Sequence, residues 1–393
     1  MTVSAEDVKE DVTAVADAIR MKTAVVILNW NTEGFLKRFL PGLVDSVSKV
    51  EGAEVIVADN SSTDGSRQLL KTDFPEVRTL LLDSNLGFTG GYDEAFRKIH
   101  EDYHPEYFLL INSDIEVSDG WLQPLVDWMD NHPECGACGP KLHSWYERDR
   151  FEYAGAAGGY LDRFGYPFCR GRIMKRLEED RGQYDSPENV FWVTGACLLV
   201  RSSVFSQLNG LDSRFFAHME EIDLCWRMQL KGWKVTVVPE SVVWHVGGGT
   251  LPSHSPFKLF LNYRNNLLML QNNMAMTMAL RAYKEGMGIE EAAAYGARKG
   301  SNLVRFRKML DMLSAAVYLI SFRKDDFDAV IKAHKEFEEL KSENDVRELA
   351  SYLEEYADKA SVEGMYGRWI VSASLFKGKK IFRSIRKKDF YKI

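Results

Sequence analysis

From Thr23 onward the chain alternates short, unbroken apolar runs with longer stretches in which apolar residues recur at helical spacing. The runs are TAVVILNW from Thr23, AEVIVAD from Ala53, VRTLLLD from Val77 and YFLLIN from Tyr107. Helical stretches separate them: one through Val47, one near Asp64–Leu70 and one from Thr89 to His100. Continuous β-branched and leucine runs joined by helices describe strands covered on both faces by crossover connections, so an α/β fold with a parallel sheet is expected. Polar residues follow every run: Asn29 and Asn31, Asp59 and Asn60, Asn85, then Asn112, Ser113, Asp114 and Glu116. In open sheets of this kind the ligand crevice lies beyond the carboxyl ends of the strands. A helix over 119–130 follows, with Ser118 and Asp119 placed to cap it.

Beyond Trp121 the alternation fades into YAGAAGGYLDRFGYPFCRGR, a stretch of strands or loops expected over the cleft. It returns with NVFWVTGACLLVRSSVF, a strand leading into a short helix, then a helix in EEIDLCWRMQLKGW and strands in KVTVVPE and SVVWH. From Pro256 the pattern is helical almost throughout. We therefore expect an N-terminal extension at 1–22, an α/β catalytic domain at 23–255 and a helical region at 256–393. The last segment, RWIVSASLFKGKKIFRSIRKKDFYKI, interleaves Trp369, Leu375, Phe376, Ile381 and Phe390 with Lys and Arg. Such a basic amphipathic tail can lie on an anionic membrane surface; a helix docked on the protein with a solvated basic face is the alternative.

A length of 393 residues with 45% hydrophobic and 12% aromatic residues suits a folded protein of two or three units. The net charge of −7 creates no field for nucleic acid, so none is expected as a partner. Five cysteines without framework spacing favour reduced thiols and a cytoplasmic setting, and Cys135 and Cys138 read as buried strand residues. No run reaches the ~18 apolar residues of a membrane span. Residues 1–20 are too acidic for a secretory signal and read as a dispensable extension.

The candidate chemistry sits at the strand ends. Asp59 at a buried strand terminus could accept hydrogen bonds from a base or ribose, whereas Asp64 reads as a helix cap. SNLGFTGGYDEAF is a glycine-rich loop whose Gly87, Gly90 and Gly91 do not match a dinucleotide fingerprint but would let backbone approach a ligand. Asp114, helped by Asn112, suits a hard cation such as Mg²⁺ or Mn²⁺. Glu220, Glu221 and Asp223 open a helix, where acids favour the dipole and Asp223 can pair with Arg227 four residues on. Three carboxylates in four positions exceed what stability needs, and an ionised glutamate can accept a hydroxyl proton. His245, before Gly247, could complete a metal site through a neutral imidazole.

Taken in order, VVILNWN, VIVADNSSTDGS, NLGFTGG, FLLINSDIEV, WVTGACLLVRSSVF, EEIDLCWR, WHVGGGT and the NYRNN at 262–266 resemble the family 2 glycosyltransferases of GT-A fold. The resemblance covers about residues 23–270. It implies a nucleotide-sugar donor, Mg²⁺ or Mn²⁺, and transfer with inversion to a glycan or lipid-linked glycan acceptor in bacterial surface polysaccharide assembly. It assigns the donor nucleotide to Asn29, Asn31, Asp59, Asn85, Gly87, Gly91, Asn112 and Ser113, and the metal to Asp114 and His245. Trp192, Thr194, Gly195 and Asp223 fall to the acceptor, and the general base to Glu221 or its neighbour Glu220. The enzyme is expected in the cytoplasm, peripheral on the inner face of the membrane. A nucleotidyltransferase would need a basic, glycine-rich loop after the first strand, which NWNTEGF lacks. A non-catalytic sugar-nucleotide binder would not need the acid pair.

Overall fold

The computed structural model describes residues 21–247, 255–391 and 393. Four buried or edge strands open the chain: β1 (Thr23–Asn29), β2 (Ala53–Asp59), β3 (Arg78–Leu81) and β4 (Tyr107–Ile111). The helices α1 (Glu33–Val47), α2 (Ser66–Asp73) and α3 (Gly87–Tyr103) join them. Strands β1, β2, β3 and β4 are parallel and lie in the order β3-β2-β1-β4, as the uninterrupted apolar runs predict. The order reverses at β1, which opens the crevice between its end and those of its two neighbours. In α1 the buried Leu36, Phe39, Leu40, Leu43 and Val47 make one stripe against the sheet.

The sheet continues through β5 (Ile115–Val117), helix α4 (Leu122–Asn131) and β6 (Cys135–Ser144). A small sheet then interrupts it: β7 (Gly159–Asp162), β8 (Pro167–Cys169), β9 (Arg172–Ile173) and β10 (Arg176–Leu177). The chain returns to the large sheet with β11 (Glu188–Asn189), β12 (Cys197–Arg201), helices α5 (Ser202–Gln207) and α6 (Glu220–Leu230), and β13 (Lys234–His245). Strand β12 runs antiparallel between β4 and β6, giving nine strands in all, mostly parallel in the first half. KVTVVPE and SVVWH form one long strand, not two, with a register shift between Val237 and Val242. All five cysteines are buried and unpaired.

Helices α7 (Pro256–Lys284) and α8 (Ile289–Ile320) pack along their lengths, with Gly296 and Gly300 of α8 seated on Ala275 and Ala279 of α7. They are followed by α9 (Lys324–Leu340) and α10 (Val346–Tyr356). One buried cluster runs from Val26 and Phe108 of the sheet through Trp226 of α6 to Leu267 and Met274 of α7, so the helical region shares the sheet's core. The remaining chain adds β14 (Met365–Tyr366) beside β7, then helix α11 (Ile370–Lys377). Most of the tail expected on a membrane is docked: Ile370 and Ile381 are fully buried with Phe168, Ile173 and Tyr366. Of its large apolar side chains, among the described residues, Leu375 (76% exposed) and Phe376 (90%) project. Among the described residues no helix is long and apolar enough to cross a membrane.

Candidate active site

At the ends of β1 and β2, Asn29 and Asp59 stand side by side in register. Both are fully buried. Asp59 accepts from Asn29 Nδ2 (2.9 Å), the Ser62 amide (3.0 Å) and Arg67 Nε (2.6 Å). Burial alone would raise its pKa, but these donors outweigh it and hold the carboxyl below its ordinary value. Asp59 is therefore enclosed, and it presents Arg67, which sequence reading missed, at the mouth of the crevice. Asn31 is exposed at φ 56°, and its Oδ1 accepts the Thr63 amide at 2.7 Å. Asn60 clamps the next strand end: its amide donates to Asn85 Oδ1 and the Gly87 carbonyl, and its Oδ1 accepts the Leu86 amide.

The glycines of SNLGFTGG lie within the first turns of α3 and not in a loop. A Cβ on Gly91 would meet the Leu28 side chain at 2.7 Å, and one on Gly87 would enter the Phe216 ring. Both are buried, and they permit packing of α3 on β1 and on the turn before α6. Ser118 donates to the Val242 carbonyl at 2.8 Å and does not cap α4, which begins at Leu122.

The end of β4 meets the end of β13. His245 Nε2 lies 3.1 Å from Asp114 Oδ1 and 3.5 Å from Asn112 Nδ2. Asp114 Oδ2 accepts the Gly247 amide at 3.2 Å. On the other ring edge, Nδ1 is 3.5 Å from Glu152 Oε2 but makes no hydrogen bond there. Burial would lower the His245 pKa, but the two carboxylates raise it to about 10. Glu152 was not found in the sequence, because nothing near it in the chain marks it as chemical. Among the described residues no three His, Cys, Asp or Glu side chains form a group that could hold a metal ion. Asp114 Oδ1 and His245 Nε2 are nevertheless adjacent, and a site of two protein ligands fits Mg²⁺ or Mn²⁺, which fills the rest of its shell with water and phosphate oxygens.

The acid pair heads α6 behind a strained turn. Phe216 sits at φ 62°, ψ −55°, with the Ala217 amide donating to the Phe215 carbonyl at 2.7 Å, a γ-turn of the rare hand. His218 and Met219 follow at φ 70° and 72°. Three such residues cost about 1–3 kcal/mol each and persist only where the surroundings impose them. The NYRNN segment of α7 does so: Asn265 Nδ2 reaches the carbonyls of Phe215, Ala217 and His218, and Arg264 donates to Phe215. The Phe216 carbonyl in turn accepts the Phe88 and Thr89 amides at the start of α3.

Glu220 is buried and Glu221 half-buried, and each has an Oε2 without a hydrogen-bond partner. Burial raises the Glu221 pKa to about 7, against the pull of backbone amides at the helix start. Burial, followed by the charge on Glu221, raises Glu220 further. Buried side by side, the two acids oppose ionising both at once, and Glu221 is the more exposed of the two. A Cβ on Gly195 would stand 3.4 Å from Glu221 Cβ, so the glycine floors that acid. The next carbonyl, Ala196, accepts the Asn112 amide at 2.9 Å, and this short path joins the acid pair to the Asp114 cluster.

Of the residues assigned to an acceptor, three face inward. Asp223 is fully buried, with oxygens taken by Arg227 (2.6 Å), Asn272 (3.1 Å) and Asn273 (2.7 Å). Trp192 packs over Gly159 and donates to the Tyr160 carbonyl, and Thr194 accepts the Ala196 amide. Lys258, at the start of α7, was also missed. Its charge helps burial depress the His218 pKa to about 4, while burial lowers its own against the attraction of Glu152.

Residues 24–208 match the model of the family described as glycosyl transferase family 2. The chain is 30% identical over 232 residues, 56% of its length and 75% of the relative's, to an N-acetylglucosaminyl-diphospho-decaprenol L-rhamnosyltransferase of Mycobacterium tuberculosis. It is 26% identical over 222 residues, 55% of its length and 80% of the relative's, to the rhamnosyltransferase WbbL of Escherichia coli K12. A crystal structure of GalNAc-T7 with UDP, GalNAc and Mn²⁺ superposes with TM-score 0.49 at 16% identity, covering 68% of this chain and 52% of that one.

Proposed function

Because the chain belongs to glycosyltransferase family 2, we propose that it transfers a sugar, with inversion, from a nucleoside diphosphate to a hydroxyl of a lipid-linked glycan. The relatives' rhamnosyltransferase names support placing that acceptor in bacterial cell-surface polysaccharide assembly. The observation that carries the reading is Glu221: a carboxylate without a partner on one oxygen, floored by glycine, with a pKa of about 7. A general base works best with a pKa near the working pH. Glu221 takes the acceptor hydroxyl proton as that oxygen bonds to the anomeric carbon, and the bond to the diphosphate breaks on the opposite face. Burial and the charge on Glu221 both oppose ionisation of Glu220, which disfavours a second charge in the site.

Asp114 Oδ1 and His245 Nε2 would hold the divalent ion, with His245 giving up its Nε2 proton and Glu152 steadying the ring from Nδ1. Such an ion neutralises charge developing on the departing diphosphate. Lys258 adds a cation on the same side, since its field reaches Glu152 and His218. Arg67 and Asn31, at the far end of the crevice, are placed for the nucleoside, with Asp59 positioning Arg67.

The test is a screen of nucleotide-sugar donors with Mn²⁺ or Mg²⁺, reading release of nucleoside diphosphate in the presence of lipid-linked acceptor. Asp114→Ala and Glu221→Gln should each lose about 10²–10⁴-fold in turnover, with Glu221→Gln still binding donor. Normal turnover in Glu221→Gln would move the base elsewhere.

A further inference from the structure

An extended apolar surface lies on α8. From Phe306 to Phe322 every exposed residue on one side of this helix and its C-terminal turn is uncharged: Phe306, Met309, Met312, Leu313, Ala316, Val317, Leu319, Ile320 and Phe322, with Ser321. Ile320 is 77% and Phe322 97% exposed. The two charged residues at helical spacing that would break the stripe are turned away: Asp311 is buried against Arg307, and Lys308 reaches to Glu338 of α9. Eight large apolar side chains that expose on the order of 100 Å² each exceed the few hundred Å² of a typical monomer's largest patch.

At the N-terminal end of this stripe the surface becomes basic. Arg298, Lys299 and Arg305 on α8 and Arg163 on the β7–β8 turn are exposed, and among the described residues none has an acidic partner within ion-pair distance. Between them lies an open groove of roughly 360 Å³, lined by Arg163, Lys299 and Arg281 together with Tyr295, Phe306 and Tyr391. Phe164 bridges the two surfaces, 5.1 Å from the Phe306 ring and 5.8 Å from Trp369 of the tail. At the other end Arg323 is neutralised by Asp326, and the exposed Lys324 stands beside Asp325, so the positive charge is denser at the N-terminal end.

We infer that the exposed face of α8, with the adjoining Arg163–Lys299 groove, docks on an anionic lipid bilayer. An apolar stripe too short and too one-sided to span inserts at the level of the acyl boundary, and the unpaired cations beside it meet phosphate headgroups. Tyrosines and tryptophan at the boundary supply rings with one apolar and one polar side, suited to that depth. The projecting Leu375 and Phe376, followed by Lys377, extend the same chemistry from the tail.

The experiment is co-sedimentation of the full chain with phosphatidylcholine vesicles, with and without phosphatidylglycerol, at low and high salt; no sugar transfer is read. The chain should pellet with the anionic vesicles only, and less at high salt. Leu313→Glu with Ile320→Glu should weaken binding at least about tenfold, and Lys299→Glu with Arg305→Glu should remove its salt dependence. Both should keep the parent's circular dichroism and melting temperature, since all four side chains are largely solvent-facing. Leu375→Ser with Phe376→Ser should retain most of the binding. The inference is overturned if the parent ignores anionic vesicles, if the α8 variants bind as it does, or if the tail variant alone abolishes binding. It is equally overturned if the parent is a dimer in sedimentation velocity that Leu313→Glu with Ile320→Glu makes monomeric while vesicle binding stays nil.

Discussion

Replacing Glu221 by Gln removes a charge that folding makes expensive, and the structure gives both the sign and the size of the effect. The carboxyl moves from 4.5 in the unfolded chain to about 7 in the folded one, with burial as the leading cause. A carboxyl whose folded pKa lies above its unfolded value binds more protons when folded. Its contribution to stability is complete below about pH 4.5 and is lost as the pH rises through 7. At full ionisation the loss is about 3 kcal/mol. Glutamine keeps the shape and cannot ionise, so Glu221→Gln should gain up to about 3 kcal/mol over the parent between about pH 4.5 and pH 8.5, and nothing at the acid end. Urea unfolding across that range measures it. The same ionisation should set the ascending limb of kcat/KM near pH 7. Glu220→Gln keeps the side chain's shape and removes an ionisation that burial opposes, so it should keep both limb and turnover. A parent and a Glu221→Gln variant with the same pH dependence of stability, or a limb that persists in Glu221→Gln, would refute the reasoning.

Other outcomes follow from neighbouring contacts. Asp223→Ala removes the one carboxylate that Arg227, Asn272 and Asn273 share; it should cost about 3 kcal/mol in denaturant unfolding and leave the KM for acceptor of the remaining folded enzyme unchanged. Glu152→Gln should weaken Mn²⁺ binding about 10–100-fold by calorimetry while the protein melts normally, because the carboxylate acts through the His245 ring. Asn265→Leu releases the carbonyls of Phe215, Ala217 and His218. It should lower kcat by at least about tenfold and increase amide exchange at 216–219, with a smaller effect on donor KM. Gly91→Ala drives a methyl into Leu28 and Asn60 and should cost about 1–3 kcal/mol in stability.

The parallel strands were readable because burial on both faces leaves a continuous apolar run, and their ends were readable because polar residues break those runs abruptly. The small sheet over 159–177 was not, since its strands are two to four residues long and follow glycines and tyrosines more than any period. For the site, the chain marked the acids at element boundaries, Asp114 and Glu221 among them. It did not show that Asp59, Trp192 and Asp223 are buried, because position at a strand end or helix start does not say which way a side chain turns. Glu152 and Lys258 reach His245 and His218 only through tertiary packing. The face of α8 escaped notice for a related reason: its exposed apolar stripe shares the helix with buried apolar residues, and the sequence does not separate the two.

The polar richness of α7 then acquires a cause. A helix with Arg264, Asn265, Asn266, Gln271, Asn273 and Thr277 all buried is a poor choice for stability alone, since every such group must find a partner. Most of the partners that Arg264, Asn265 and Asn273 find are the backbone of 214–218 and the carboxylate of Asp223, the two supports on either side of the acid pair. The turn at 216–219 would relax without them, because Phe216, His218 and Met219 hold three uncommon conformations among four residues, each unfavourable in itself. A relaxed turn would let water reach Glu221 and return its pKa toward the ordinary value. The buried amides of α7 thus hold a strained backbone in place, the strained backbone keeps the acid dry, and dryness brings Glu221 near neutrality, where a proton acceptor is useful. On this argument NYRNN belongs to the site as much as EEID does, although none of its side chains need touch a substrate.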